Sequence, residues 1–305
     1  MPLNSYILPY ITYDRDLLIK TKLKGDTLTV LTFSLLLIAF SFLAGIIGAL
    51  TGLGGGVIVI PTLVLIFHIN IHYAMGASLI SVLATSSGTA AAYLREGYTN
   101  LRIGIFLEVA AVVGALIGAL LVAVISKTFL AVLFSLVLFF SAYLTLKRRE
   151  EHEQYTSSHP WARALRLDGT YPVKRKLQAY HVQQVPLAFS LMGVAGLLAG
   201  LLGIGSGTLK VLSMDQGLRL PYKVSTTTSN FMIGITAAAS AGIYFANGYI
   251  NLLIAFPVMI GVVIGSFTGA KILTYIHTHF LRILFSIIIS LVGAQMLYKA
   301  LLGAI

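Results

Sequence analysis

Few residues of this chain have side chains that could take part in chemistry, and the strongest candidates are charged. Three ionisable side chains lie at apparent membrane depth, namely Glu108, Lys210 and Lys271. An ionisable group at membrane depth is costly and marks a functional candidate. The chain contains no cysteine, which excludes a disulfide, a thiolate metal site and a thiol relay. These residue types favour ion binding over covalent catalysis.

Lys210 is the strongest candidate for binding an anion. It follows Gly207 by three residues and should lie in the first turn of a short helix, where its charge adds to the positive end of the helix dipole. Two interpretations of Glu108 stay open: a proton carrier or salt-bridge partner inside the membrane, or a residue near the interface. Lys271 lies near a predicted helix end and should extend towards the headgroups.

Two glycine-rich segments, called here the first break (residues 52–56) and the second break (residues 203–207), would present backbone groups to an anion. Each glycine costs a helix about 1 kcal/mol relative to alanine, and unwound backbone inside a membrane must face protein or a water-filled cavity. Each break precedes a short apolar piece, 57–67 or 208–218, whose free N–H groups would bind an anion. The predicted ligands at the breaks are Thr51, Gly54, Gly55, Gly56, Gly205, Ser206 and Gly207. Close helix packing is the alternative, and it suits the spaced pairs Gly114/Gly118 and Gly265/Gly269 better.

Hydroxyl and amide side chains follow each break. Donors without a fixed charge suit a small oxyanion that must also be released, so these side chains complete the predicted site: Ser78, Thr85, Ser229, Asn230 and Thr236. The alternative for any one hydroxyl is a bond to its own helix. His68 and His72 have a spacing that can hold a metal, but no third ligand is near, so we predict no metal site and no cofactor.

The elements that position these residues occur twice. Residues 44–147 fall without a gap on residues 195–298 after a shift of 151 positions. Glycines and polar residues coincide, as in the pairs Ser78/Ser229, Thr85/Thr236, Tyr93/Tyr244 and Asn100/Asn251. Lys210 coincides with Val59, so the site should be asymmetric. Duplicated apolar halves with glycine-broken segments are typical of secondary transporters.

The composition indicates a membrane protein. Hydrophobic residues make up 57% of the 305 residues and charged residues only 10%, with a mean hydropathy of +0.91, whereas a soluble domain has about 25% charged residues. We predict an all-α integral membrane protein with two four-span repeats and a re-entrant half helix after each break. The predicted spans are Leu31–Leu50, Ala74–Leu94, Leu101–Ile125, Phe129–Leu146, Pro186–Leu202, Val224–Ala246, Leu252–Tyr275 and Phe280–Leu302.

The net charge of +11 orients these spans. Nucleic acid is one partner such a charge could suggest, but the basic residues crowd the tail and the central loop, which is the bias of cytoplasmic loops. We therefore predict a cytoplasmic tail (1–29), repeat 1 (30–148), a cytoplasmic linker (149–185) with a hairpin turn at Asp168-Gly169, and repeat 2 (186–305). Four spans per repeat put both termini and the linker in the cytoplasm and relate the repeats by an axis along the membrane normal.

Four segments resemble the TauE/SafE (TSUP) family of sulfite and organosulfonate exporters. Residues 52–61 and 74–88 are similar to its first repeat, and residues 200–211 and 227–232 to its second. The resemblance covers roughly residues 30–302 and implies a multi-span transporter of sulfur-containing anions. Two residues depart from the family pattern: Ser206 stands where glycine is usual, and Leu212 where proline is usual. Ser206 would add a hydroxyl to the anion site.

The expected function is therefore a secondary transporter in the plasma membrane that exports sulfite or sulfonates by alternating access. An anion channel and a proton-coupled uptake permease for another small anion are the alternatives. An enzyme is disfavoured, because the apolar core offers one glutamate and no cysteine. The expected partners are the small sulfur anion and the lipid bilayer, not nucleic acid, and assembly into a homo-oligomer stays open.

Overall fold

The computed structural model describes residues 30–51, 55–95, 98–146, 158–173, 176–273 and 278–303. The short helix Gly207–Leu212 continues directly into a π-helical turn, Ser213–Gly217. The elements are, in chain order, α1 Val30–Thr51, α2 Gly56–Leu65, α3 Ile71–Arg95, α4 Leu101–Leu121, α5 Lys127–Leu146, α6 Pro160–Ala164, β1 Gly169–Val173, β2 Lys176–Tyr180, α7 Val185–Leu202, α8 Gly207–Leu212, α9 Tyr222–Ala246, α10 Leu252–Leu273 and α11 Thr278–Leu301.

The prediction of an all-α membrane protein is confirmed. Six of the described helices are long and apolar enough to cross a membrane: α1, α4, α5, α7, α9 and α10. The other two predicted spans fall within α3 and α11, which have 25 and 24 residues. The short pieces after the two breaks form the separate helices α2 and α8.

Glycines bring the long helices into backbone contact. The helix α1 packs along α10, and α4 packs along α7. A Cβ atom on Gly45 would lie 2.4 Å from the Val262 carbonyl oxygen, and one on Gly196 would lie 2.1 Å from the Ala111 carbonyl oxygen. A shift of 151 positions converts one contact into the other, because Gly45 corresponds to Gly196 and Ala111 to Val262. Gly114 makes a similar contact with α7, as the packing interpretation of the spaced glycines predicts.

The bundle has two distinct ends. The linker end is defined here by Asn100, Leu218 and the linker: the Asn100 side chain donates to the Leu167 carbonyl (3.0 Å), and Gln183 N donates to the Leu218 carbonyl (3.2 Å). The opposite end is defined by Leu65, Phe67 and the loop at Tyr249. The helix α3 connects the two ends and is roughly 36 Å long at 1.5 Å per residue.

Each short helix runs back along the long helix before it. The rings of Phe33 and Phe67 pack edge to face with centroids 5.8 Å apart, so α2 returns the chain to the end where α1 begins. In the second half, Ser213 Oγ donates to the Ala188 carbonyl (2.8 Å), and α8 with its π turn returns the chain to the linker end at Leu218. The helices α3 and α9 therefore begin at opposite ends.

This chain path contradicts the predicted arrangement of the termini. The helix α1 begins at the opposite end from the linker, and α11 also finishes there, where Lys299 Nζ donates to the Leu65 carbonyl (3.3 Å). The prediction that the two termini and the linker share one side is therefore wrong for the described helices, as is the parallel relation of the repeats. The predicted count treated α1 as a completed crossing, whereas α2 returns the chain to the end where α1 begins. The tail 1–29 lies outside the described residues.

The linker contains an antiparallel hairpin in which Gly169 pairs with Tyr180 and Val173 with Lys176. The turn therefore lies between Val173 and Lys176, and its predicted position at Asp168-Gly169 is wrong. The Asp168 carboxylate accepts hydrogen bonds from Val182 N (2.9 Å) and Ser158 Oγ (2.6 Å). These contacts across the linker fix Asp168 just before β1.

Candidate functional site

The two breaks lie next to each other. A Cβ atom on Gly56, the first residue of α2, would lie 2.5 Å from Ser78 Oγ and 3.6 Å from Ile204 Cα. Ser78 Oγ in turn donates a hydrogen bond to the Gly203 carbonyl (2.8 Å). Ser78 on α3 thus bridges the start of α2 and the second break. A side chain at Gly56 would displace the Ser78 hydroxyl from this position.

The second break is built from left-handed backbone conformations. Gly203 and Gly205 have φ angles of 67° and 69°, which glycine adopts without strain. Ser206 has φ 48°, an uncommon conformation for a residue with a Cβ atom. Its hydroxyl is buried and hydrogen-bonds to no described residue, while its carbonyl accepts the first helical bond, from Lys210 N (3.0 Å). An unsatisfied buried hydroxyl calls for a partner.

Lys210 lies one turn beyond Ser206 and is completely buried. Its ammonium group donates to Glu108 Oε2 (3.4 Å), to the Met232 carbonyl (3.2 Å) and to Thr236 Oγ1. Thr236 Oγ1 also bonds to Glu108 Oε1. Glu108 is only 4% exposed, so of its two interpretations the structure supports the buried ion-pair partner. All three ammonium hydrogens have acceptors, and the one charged acceptor is Glu108.

Three helices supply this cluster. Lys210 stands in the first turn of α8, Glu108 at the start of the third turn of α4, and Thr236 midway along α9. The hydroxyls of Ser141 and Thr208 lie 3.1 Å apart and join α8 to α5. The charged pair is therefore held by helices from both halves of the chain.

The remaining predicted ligands occupy different surroundings. Ser229 Oγ donates to the Gly207 carbonyl (3.3 Å) and so supports the second break. Thr85 Oγ1 donates to the Ser81 carbonyl (3.0 Å) of its own helix, whereas its repeat partner Thr236 contacts Glu108 as well as the Met232 carbonyl of its own helix. Asn230 is half-buried on α9. Gly55 faces α10, and Gly54 and the side chains of Thr51 and Lys271 lie outside the described residues.

Tyr244 also belongs to this region, although sequence reasoning did not select it as a site residue. Its hydroxyl lies within hydrogen-bonding distance of the carbonyls of Gly200 (3.0 Å) and Leu201 (3.1 Å), at the end of α7. It thereby satisfies carbonyl groups that the break leaves without helical partners. The identity of Tyr93 and Tyr244 in the two repeats was the available signal.

Within the described part of the chain, no three His, Asp or Glu side chains come together as metal ligands. The His72 ring stacks on Tyr249 with centroids 4.6 Å apart, and its Nδ1 lies 3.2 Å from Asn70 Oδ1. His72 therefore joins α3 to the loop before α10.

A comparison of the sequence with protein families finds a match over most of the chain. The family model described as "Sulfite exporter TauE/SafE" matches residues 37–296. The chain belongs to the TauE/SafE family. As a TauE/SafE protein, it belongs to a family of multi-pass membrane transporters.

Its relatives carry correspondingly general names. It is 25% identical to the probable membrane transporter protein YunE of Bacillus subtilis (strain 168), over 87% of this chain and 98% of the relative. It is 32% identical to YdhB of the same organism, over 78% and 89%. It is 29% identical to MJ0441 of Methanocaldococcus jannaschii, over 86% and 94%. YdhB and MJ0441 are also named probable membrane transporter proteins. No solved structure matches the chain significantly.

Proposed function

We propose that this TauE/SafE protein exports a small sulfur-containing oxyanion, such as sulfite or a sulfonate, across the plasma membrane by alternating access around the two breaks. The observation that carries the proposal is the unpartnered, buried hydroxyl of Ser206 at the start of α8. The description of the family supplies the substrate class.

The anion would bind to Ser206 Oγ and the first backbone N–H groups of α8. Those N–H groups lie before the first helical bond, and they carry the positive end of the dipole of α8 and its π turn. Ser78 and Ser229 direct their hydroxyls to break carbonyls, so they shape the site. Lys210 adds a positive charge one turn further on. Such donors fit the oxygen atoms of sulfite or a sulfonate.

Alternating access would come from two inverted repeats that rock against each other. The exchanged contacts Gly45–Val262 and Gly196–Ala111 support a twofold relation, and the opposite starting ends of α3 and α9 support inversion. Transporters with inverted repeats place their substrate where the broken helices meet. In this protein, the short helices α2 and α8 would be the re-entrant elements.

The linker end would face the cytoplasm. The linker carries Arg163 and Arg166, which are both exposed, and basic loops stay inside. The helix α10 begins beside Tyr249 at the opposite end, so Lys271 near the end of α10 and Arg282 near the start of α11 also fall at the linker end. In the parallel arrangement these two basic residues would flank an external loop, whereas inversion puts them on the cytoplasmic side, as basic residues prefer.

Counterflow of sulfite and methanesulfonate in proteoliposomes tests this function. Ser206→Ala should raise the KM for both anions about tenfold, since a hydrogen bond to a charged group contributes about 1.5–3 kcal/mol. Ser135→Ala is the matched control, because the Ser135 hydroxyl is equally buried but bonds to its own helix at Ala131. Counterflow that is not saturable, or that Ser206→Ala leaves unchanged, would contradict the proposed site.

A further inference from the structure

We propose that the proton is a co-substrate of this transporter: Glu108 and the transported anion are alternative partners of Lys210, so each monovalent anion crosses together with one proton. This inference rests on the proposed function and specifies its coupling ion and the charge of its substrate.

The geometry makes Glu108 the exchangeable partner. Lys210 Nζ has three acceptors, of which the Met232 carbonyl is fixed in the backbone of α9 and Thr236 Oγ1 is neutral. Only Glu108, on α4, bears a charge, and its 3.4 Å contact is the longest of those to the ammonium group. An anion held at Ser206 lies one helical turn from Lys210. It can therefore compete with the carboxylate for the ammonium group.

The buried charges determine the stoichiometry. Lys210 and Glu108 cancel each other in the structure, and both are buried. A monovalent anion added to this pair would leave one uncompensated negative charge, which a buried site disfavours by several kcal/mol. A proton from the aqueous side that binds Glu108 restores neutrality. The protonated carboxyl group keeps an acceptor for its O–H in Thr236 Oγ1.

The groups that surround Glu108 indicate that the exchange involves only the pair of Glu108 and Lys210. Lys210 faces it from α8, and α9 presents only the Thr236 hydroxyl and the Met232 carbonyl to the cluster. The other buried carboxylate on this stretch, Asp215 in the π turn, accepts a hydrogen bond from Gln216 Nε2 (3.4 Å). Among the described residues, Glu108 is the acidic side chain in contact with Lys210.

The same charge balance selects among sulfur oxyanions. A hydrogensulfite or sulfonate monoanion with one proton leaves the site neutral, whereas sulfate, a dianion, would leave it negative. The site should therefore discriminate by charge between anions that present similar oxygen atoms. Transport of the monoanion should move no net charge across the membrane.

The experiment uses methanesulfonate, which stays a monoanion at every working pH, and a pH dye inside proteoliposomes. An inward gradient should acidify the lumen by one proton per anion, and a potassium diffusion potential should not change the flux. Sulfate flux should be lower by about tenfold. Glu108→Gln should retain counterflow of methanesulfonate, lose lumen acidification and gain dependence on the potential. Asp215→Asn is the matched carboxylate control and should keep the coupling.

If the Glu108→Gln variant is unstable, a measurement of its thermal stability tests the proposal instead. Methanesulfonate should raise the Tm of this variant more than that of the wild-type protein, since the anion replaces the missing charge. Saturable, potential-driven methanesulfonate flux without proton movement in the wild-type protein would overturn the inference and leave the proposed function intact. The absence of any saturable flux of monoanions would overturn the proposed function itself.

Discussion

The two breaks are similar in sequence but differ in charge and in backbone conformation before the short helix, where Gly55 has φ −62° and Ser206 has φ 48°. Lys210, Glu108 and Thr236 surround the second break, and a shift of 151 positions places Val59, Met259 and Thr85 at the corresponding positions of the first. The helix α2 after the first break has 10 residues, while α8 has six and then becomes a π turn. Duplication thus supplied two similar sequences, and the ion pair lies beside the second break, with Lys210 from one half and Glu108 from the other.

Removing one member of the ion pair should have the largest effect. Lys210→Val leaves the Glu108 carboxylate buried without a counter-charge, which should destabilise the protein by about 3–5 kcal/mol. Adding Glu108→Met gives the second break the residues of the first and should recover most of this loss without restoring transport. Thermal unfolding in detergent, with flux in parallel, checks both variants. A Lys210→Val protein with the wild-type Tm would show that the pair is not formed.

The next largest effect should be a difference between valine substitutions at the two breaks. Ser206→Val places a β-branched residue at φ 48° and should cost about 1–3 kcal/mol in strain as well as abolish transport. Gly55 has φ −62°, and its new side chain would meet the movable Val262 Cγ1 atom at 2.6 Å. Gly55→Val should therefore reduce flux less. An equal loss in both variants, at equal protein levels, would make the breaks functionally equivalent.

Labelling of single cysteines tests the inverted relation of the halves. The chain has no cysteine of its own, so Ser158→Cys in the linker and Leu302→Cys after α11 can be studied separately. We expect a membrane-impermeant maleimide to reach Leu302→Cys from outside intact cells and Ser158→Cys only after permeabilisation. Labelling of both positions from the same side would restore the parallel arrangement.

The smallest effect concerns the equivalent loops at the two ends. Asn100 Oδ1 accepts from Ile103 N at the start of α4, and its Nδ2 also donates to the Tyr180 hydroxyl (2.7 Å). Burial raises the pKa of Tyr180 to about 12, so this hydroxyl stays neutral at physiological pH. Asn251 Oδ1 accepts from Leu253 N before α10. Asn100→Ala should cost about 2 kcal/mol and Asn251→Ala about 1 kcal/mol, measured by thermal unfolding.

The sequence by itself determined the membrane class, the internal duplication and the two short helices. These are local properties, because apolar composition, consecutive glycines and a repeated register need no knowledge of distant contacts. The same local signal placed Lys210 in the first turn of α8, where the structure has it.

Only the tertiary structure decided which way the chain runs and what neutralises Lys210. A glycine-rich break permits many angles, and contacts such as that between Phe33 and Phe67 select the one that folds α2 back along α1. The carboxylate of Glu108 comes from 102 residues away in sequence, so no local pattern could assign it to Lys210. Packing of α4 against α7 and α9 brings the two charges together. This contact is needed because a buried ammonium group is stable only beside an opposite charge.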